Sequence, residues 1–548
     1  LLVQREQEAG NPRLHMLATI REYGLEALAA CGELERAHTA HAAYYLALAE
    51  RAEPALVGAE QSSWADQLER DHKNIRAALQ WLLEQGKIEE VLRLATALQQ
   101  FWLQRGYLPE GRRFLEQALD AAIPEHASIS PQVRANALYA AGYLAFWQND
   151  PGHAIVVLEE SEQLSRQLQD KRGIARALTY LGGMTHNRGE GAAAATMHEE
   201  ALRLYKEVGA KSELAELIAM LGVVPLFHGE YTQAREIFEE GLALCKEVGN
   251  VWLTASFLYF LGWIAYEQGE YTYARMLTEE SLAHYRTLGK PMLFMETLIR
   301  YAYVLIALGD ELTARTLLEE ALSLSRELES QDDIARTLCG LGYLALRLGD
   351  LVQARTHYEE SITTLQGRWL IARLKWALAS SLEGLGEIAL AEGLVAWTVR
   401  LFAAANAVRS THGYYSPLGM KQPFYDQTVA GARAQLGEKA FAALWAEGQQ
   451  LTPVEALTAE ARAPITTLGP KAVSTSTLPP LTTAPGGLTA REVEVLRLVA
   501  MGLSKNQIAE QLVLSPNTVN VHIQSIYGKL GINSRSAATR YAIEHHLA

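Results

Sequence analysis

Cysteine is scarce in this chain: three residues in 548, Cys31, Cys245 and Cys339, with no CxxC pair among them. That excludes a disulfide framework and a thiolate zinc site, and it fits a reducing cytoplasm. Long apolar runs are missing too. The longest uncharged stretch worth testing, Val251–Tyr266, falls short of the roughly 20 residues a bilayer requires, so a buried helix is expected there and no membrane partner. No signal peptide opens the chain, and the expected location is cytoplasmic. No GxxxxGK[ST] phosphate loop occurs. Gly86-Lys87, Gly289-Lys290 and Gly528-Lys529 each lack the upstream glycine and the following Ser or Thr. Neither GxSxG nor HExxH is present, and His186, His228 and His284 fall in different helical registers, with His545-His546 near the end. No catalytic residue, no metal site and no cofactor are therefore expected in this chain. It begins on Leu1 rather than Met, as a piece of a longer product would.

What is present is ordinary for a soluble globular protein: 49% hydrophobic and 20% charged residues, in a length too great for one core. Charge is unevenly spread. The net charge is −14, yet Leu488–Ala548 carries +2, leaving −16 on the rest. An acidic body with a mildly basic end suits one nucleic-acid-binding module on a protein that otherwise repels nucleic acid.

Between residues 129 and 370 the sequence repeats every 40 residues. Gly142, Gly182, Gly222, Gly262 and Gly342 share one register, with Ala302 in the remaining slot. Seven residues on stand Asn149, Gly189, Gly229, Gly269, Gly309 and Gly349, and five further Ala154, Ala194, Ala234, Ala274, Ala314 and Ala354. Glu160, Glu200, Glu240, Glu280, Glu320 and Glu360 follow in register, each before a small residue. This reads as two antiparallel helices per unit: a small residue where they approach closely, a left-handed cap after the first, and Ala at the crossing. The pattern is similar to the tetratricopeptide repeat, whose units run nearer 34 residues, so longer helices are expected here. The predicted fold is an all-α solenoid of such helix pairs.

One residue after each repeat glycine lie Tyr143, Trp263, Tyr303 and Tyr343, with Gly183 and Val223 between, and Tyr259 and Tyr266 flank Trp263 by one turn. These six aromatics either pack between repeats or line a concave groove for an unknown small-molecule or protein effector. Spacing alone leaves both open.

The flanks differ. Residues 1–128 read as helical throughout. Residues 371–451 hold a degenerate unit at Leu385-Gly386 and Gly393, then helices suited to capping the solenoid. Residues 452–487 are rich in Pro, Thr, Ser and Gly and read as a flexible linker. Residues 488–548 are the final domain. The stretches RLHMLATIREYGLEAL, ERDHKNIRAALQWLLEQG and FWLQRGYLPEGRRFLEQAL resemble the region that follows the nucleotide-binding module in STAND-class ATP-dependent regulators. There, Leu14–Glu26 would end a winged-helix element, and any ATP site would lie upstream of residue 1.

The final domain shows four helices by their caps. Thr489 with Glu492 and Ser504 with Gln507 form capping boxes, Ser515 precedes Pro516 at a helix start, and Ser534 caps the last helix. A second helix, a two-residue turn and a Ser-capped third helix make a helix-turn-helix. The strings LTxRExEVLxLxAxGLS and IAxxLxLSxxTVxxHxxxIxxKL closely resemble the LuxR-type DNA-binding domain. On the third helix Val519, Ile523 and Ile526 share the inward face, leaving Asn517, Thr518, Asn520, Val521 and Gln524 for DNA. The resemblance makes Asn520, Val521 and Gln524 base-contacting and Thr518 and Lys529 phosphate-contacting. Lys505 and Arg535, near helix starts, either contact phosphate or are solvated charge. His522 is expected to pack.

The expected function is a sequence-specific, DNA-binding transcriptional regulator: the solenoid senses an effector and controls the helix-turn-helix. Double-stranded DNA, a second copy of the chain on paired half-sites and RNA polymerase are the expected partners. The alternative is a tetratricopeptide scaffold whose helix-turn-helix contacts protein.

Overall fold

The computed structural model describes residues 2–5, 13–121, 129–289, 292–366, 374–410, 422–459, 490–512, 519, 523, 526–530, 532 and 534–545. The described residues are all-α apart from one antiparallel hairpin, β1 (Leu2–Arg5) with β2 (Arg13–Met16), in register Leu2–Met16 to Arg5–Arg13. The hairpin corrects the reading of residues 1–128 as helical throughout. Its strands are four residues each, too short for any periodicity to declare them. Only β2 overlaps Leu14–Glu26, the stretch that the resemblance makes the end of a winged-helix element.

Six helices follow: α1 (Ala18–Ala30), α2 (Leu34–Ala52), α3 (Gln61–Glu84), α4 (Ile88–Ala97), α5 (Gln99–Arg105) and α6 (Leu108–Ala121). The solenoid then runs as hairpins: α7 (Pro131–Trp147) with α8 (Pro151–Gln167), α9 (Lys171–Asn187) with α10 (Gly191–Val208), and α11 (Lys211–Phe227) with α12 (Tyr231–Val248). Next come α13 (Val251–Glu267) with α14 (Tyr271–Thr287), α15 (Met292–Leu308) with α16 (Glu311–Glu327), and α17 (Gln331–Arg347) with α18 (Leu351–Thr364). These helices are mostly 17 residues long, one turn more than a 34-residue unit would hold.

The repeat register has a direct packing cause. A methyl group on Gly142, Gly182, Gly222, Gly262 or Gly342 would lie 2.3–2.8 Å from the side chain of Leu158, His198, Phe238, Thr278 or Tyr358, always 16 residues on. The glycine is thus a socket, and the residue facing it on the second helix is the plug. The turn position carries positive φ in every copy, from +59° at Asn149 to +85° at Gly189, as the left-handed cap demands. The alanines five further on are buried in every copy. The small residue after the register glutamate has its own use: Ser161, Ser281 and Ser361 each donate to the carbonyl 26 residues back, at 2.7–2.8 Å. Several first helices are capped by Asp170, Asn250 or Ser330, and their partners by Asp150, Asp310 and Asp350, each accepting the N–H three residues ahead.

A seventh hairpin, α19 (Lys375–Ala391) with α20 (Val395–Ser410), obeys the same rule, with Gly386 against Phe402 and Gly393 at φ +78°. The unit read as degenerate is therefore structurally complete. Three helices close this end: α21 (Gln422–Leu436), α22 (Glu438–Gly448) and α23 (Pro453–Thr458). The last corrects the expected start of the linker at residue 452. Thr452 and Glu455 form a full capping box, Ala456 is buried, and the Trp397 indole donates to the Ala456 carbonyl at 2.9 Å. A six-residue helix is too short to stand out beside a Thr/Pro-rich tract. Among the described residues no helix is long and apolar enough to cross a membrane, and Val251–Tyr266 is a buried repeat helix.

Candidate ligand cavity and nucleic-acid interface

The C-terminal unit has its own core. Helices α24 (Ala490–Ala500) and α25 (Lys505–Leu512), the described positions 519, 523 and 526–530, and the closing helix Arg535–Glu544 pack Val493, Val495, Leu496, Leu498, Val499, Ile508, Val519, Ile523, Ile526, Ala538 and Ala542 together. Ser504 and Gln507 make the expected capping box: the Ser504 N–H donates to Gln507 Oε1 at 2.9 Å and the Gln507 N–H to Ser504 Oγ at 3.4 Å. Ser534 Oγ accepts the Ala537 N–H at 3.3 Å. Gly502 turns the chain between the first two helices at φ +87°.

Lys505 and Lys529 are exposed. Arg535 is exposed as well, but its guanidinium reaches back 32 and 36 residues to the carbonyls of Leu503 at 2.5 Å and Val499 at 3.0 Å. Those carbonyls belong to the end of α24 and the turn after it. Arg535 thus caps a helix C-terminus, a third use that its sequence position did not suggest. Asn517, Thr518, Asn520, Val521, His522 and Gln524, with the caps Thr489, Ser515 and Pro516, lie outside the described residues.

In the solenoid, the six aromatics expected at a groove are mostly core. Tyr143 and Tyr303 are essentially buried, Tyr259, Tyr266 and Trp263 nearly so, and Tyr343 is half-buried, stacked on Tyr303 with centroids 5.0 Å apart. Tyr143 O–H pairs with the Gln100 side chain. The Arg300 guanidinium lies 3.7 Å from the Trp263 ring centroid, and Tyr259 O–H donates to Glu296. Burial pushes the Tyr259 and Tyr343 hydroxyls up to about 12.

The cavity lies elsewhere, where the stripe loses its rings. Gly183 and Val223, the two non-aromatic members of that register, open a space of about 270 Å³ between α7, α9, α11 and α13. None of the six expected residues lines it. Its walls are Phe146, Trp147 and Tyr180 on one side and Phe227, Trp252 and Phe260 on the other, with Met220 between. Trp147 meets Trp252 edge to face at 5.9 Å, and Phe146 meets Tyr180 likewise at 5.1 Å. Tyr180, Met220 and Phe260 stand two positions before a repeat glycine, Trp147 and Phe227 five after one, Phe146 four after and Trp252 ten before, so the lining is drawn from several registers. That is why the spacing did not reveal them.

Glu216 is the one carboxyl among the lining residues, and no Lys or Arg is among them. Tyr180 O–H donates to Glu216 Oε2 at 3.1 Å. Burial, then the neighbouring Glu213 carboxylate, pushes Glu216 up to about 7. His186 also lines the space, and its ring sits 6.2 Å from that of His228, so the fold joins two histidines that sequence register had separated. Burial and His228 hold His186 below the usual histidine value, and burial does the same to His198, whose Nε2 lies 3.2 Å from the Thr179 carbonyl under Gly182. Cys245 and Cys339 are buried with thiols pushed up to about 12 and about 11, which makes them inert.

Known proteins agree with these two parts. Residues 487–542 match the bacterial regulatory proteins of the luxR family, and residues 174–208 and 293–366 match tetratricopeptide repeats. A Mycobacterium tuberculosis protein described as an HTH-type transcriptional regulator is 33% identical over 196 residues, which is 35% of this chain and 22% of that protein. The matched region thus spans about a fifth of the length of that relative. The nitrate/nitrite response regulator homolog of Haemophilus influenzae is 56% identical over 52 residues, 10% of this chain and 25% of its own. Among solved structures, a Rap protein complexed with competence and sporulation factor overlays 66% of this chain and 97% of its own, at 14% identity and a TM-score of 0.48. The chain carries a LuxR-type helix-turn-helix domain at its C-terminal end, behind tetratricopeptide repeats.

Proposed function

We infer that this chain, with a LuxR-type helix-turn-helix behind tetratricopeptide repeats, binds duplex DNA sequence-specifically and is controlled by an effector held in the solenoid. The observation that supports it most is the C-terminal unit: a family match over residues 487–542 on a segment with its own core and the Ser504–Gln507 capping box. Asn520, Val521 and Gln524 read base edges, while Thr518, Lys529 and Lys505 meet phosphate. Asn and Gln pair well with adenine, so half-sites rich in A·T are favoured. One such module makes few contacts, so two copies of the chain act on paired half-sites, with RNA polymerase as the eventual partner.

The test is the salt dependence of binding to a promoter duplex selected from random sequence. Affinity should fall steeply as salt rises, because each phosphate neutralised releases counterions. No measurable duplex binding at low salt would instead favour a scaffold whose helix-turn-helix contacts protein.

A further inference from the structure

The cavity between α7 and α13 has an unusual lining for a repeat interior. Six aromatic walls, Phe146, Trp147, Tyr180, Phe227, Trp252 and Phe260, surround a space of about 270 Å³ whose lining includes one carboxyl group and no Lys or Arg. Glu216 is not in an ion pair among the described residues. Its one hydrogen bond there comes from a neutral hydroxyl, that of Tyr180. The nearest influence of positive sign is Arg176, whose guanidinium is committed elsewhere: it donates to Asn136 at 2.7 Å and lies 4.5 Å from the Tyr139 ring centroid. Glu213, one turn before Glu216, is already paired with Arg172.

A purely structural explanation fits poorly. A repeat that only had to fill space would place a ring at 183 or 223, as the neighbouring units do with Tyr143 and Trp263. A half-buried carboxyl among aromatic rings, without a cation, is costly to keep. Aromatic faces carry negative electrostatic potential, and a ring of them beside a carboxylate is the environment that recognises a weakly hydrated cation. The volume is just below the roughly 300 Å³ at which sites for drug-sized ligands begin, so the guest is small.

We propose that this cavity binds a small organic ammonium ion, with the aromatic walls against the cation and Glu216 supplying the opposite charge. The inference rests on the reading of the solenoid as an effector-sensing body, and it names the chemical class of the effector. A ligand there touches Trp252 on α13 and Trp147 on α7 together, so it bridges helices three hairpins apart in sequence.

The experiment uses the full chain, with choline and benzyltrimethylammonium as probes and 3,3-dimethylbutan-1-ol as the neutral isostere of choline. Binding is read by calorimetric titration and by fluorescence of the cavity tryptophans. At least one cation should bind about tenfold or more tightly than the alcohol. Glu216→Gln keeps an acceptor for Tyr180 and should remove that preference while leaving alcohol binding unchanged; a merely structural role would weaken both alike. Ala219→Phe, which fills the space, should abolish binding of both in a chain whose circular dichroism is unchanged. Equal affinity for choline and its isostere, or no binding of either cation up to about 10 mM, overturns the proposal. Duplex binding is measured separately. Cation binding that leaves duplex affinity unaltered keeps the site and overturns its sensory role.

Discussion

Gln61, at the first turn of α3, accepts the backbone N–H of Trp252 through its side-chain oxygen at 3.1 Å, across 191 residues of chain. The same side chain donates to the Leu56 carbonyl at 2.8 Å, and Gln104 donates to that carbonyl at 2.9 Å. Beside this contact, Gly249 is so close to Ala59 that an added methyl would lie 3.1 Å from the Ala59 Cβ. The N-terminal helices therefore lean on the fourth hairpin as well as on the first, and the superhelix is braced across its turn. The brace ends on Trp252, a wall of the cavity.

The Trp252 N–H is one of the unpartnered donors of a helix first turn, and it is buried, so removing its acceptor has a cost. Gln61→Ala should destabilise the chain by about 1–3 kcal/mol, read from the shift of the urea midpoint. Gln61→Glu, which keeps an acceptor but buries a charge, should be no better. A midpoint unchanged in Gln61→Ala would show that the brace carries no stability.

The socket-and-plug register gives a second expectation. Gly222→Ala places a methyl 2.3 Å from the Phe238 ring, so the ring must shift, at about 1–3 kcal/mol. Phe238→Leu added to it should recover part of the loss, because the smaller plug tolerates the fuller socket. Gly431→Ala, where nothing lies within 4 Å of the added methyl, serves as the control and should be nearly neutral. If the double variant is no more stable than Gly222→Ala alone, the pairing of positions 16 apart is not what sets the register.

Most of this architecture was legible because its causes repeat. A left-handed turn and a crossing alanine recur six times and a socket glycine five, so each weak local signal is read several times over. The helix-turn-helix core was legible for a different reason: its caps and inward residues, from Ser504 to Ile526, follow local rules. The cavity was not legible, because it is formed by an interruption. Gly183 and Val223 read as gaps in an aromatic stripe, and only the packing shows that the gap is the feature. The roles of Gln61 and Arg535 depend on partners 191 and up to 36 residues away, which no local pattern encodes.

Glu216 predicts a pH dependence of fixed sign. Its carboxyl is pushed from an ordinary 4.5 up to about 7 by burial, so the folded state holds the proton more tightly than the unfolded state. Folding stability therefore falls as pH rises from 4.5 to about 7 and stays level above, where both states are ionised. Glu216→Gln removes the penalty. Its melting temperature should exceed that of the parent at pH 8 by a few degrees, on the order of 1 kcal/mol, and the gain should shrink toward zero near pH 4. An equal gain at both pH values would mean that Gln improves packing, with no part played by titration.

Arg535 and Lys529 are both exposed cations of the DNA-binding unit, yet they should fail in different ways when removed. Arg535 holds the carbonyls of Val499 and Leu503, so Arg535→Ala frees the end of α24 and should lower the unit's melting temperature, costing about 1–2 kcal/mol. The remaining folded fraction should bind duplex DNA with nearly the parental salt slope. Lys529, expected to meet phosphate, should show the reverse: Lys529→Ala lowers affinity for specific and random duplexes alike and flattens the plot of log affinity against log salt by about one unit, with little change in melting. Affinity titrations over a salt series, paired with thermal melts of each variant, separate the two. If Arg535→Ala flattens the slope while leaving the melt untouched, then Arg535 gives up its carbonyls for phosphate when DNA binds, and its place is with the DNA-contacting residues.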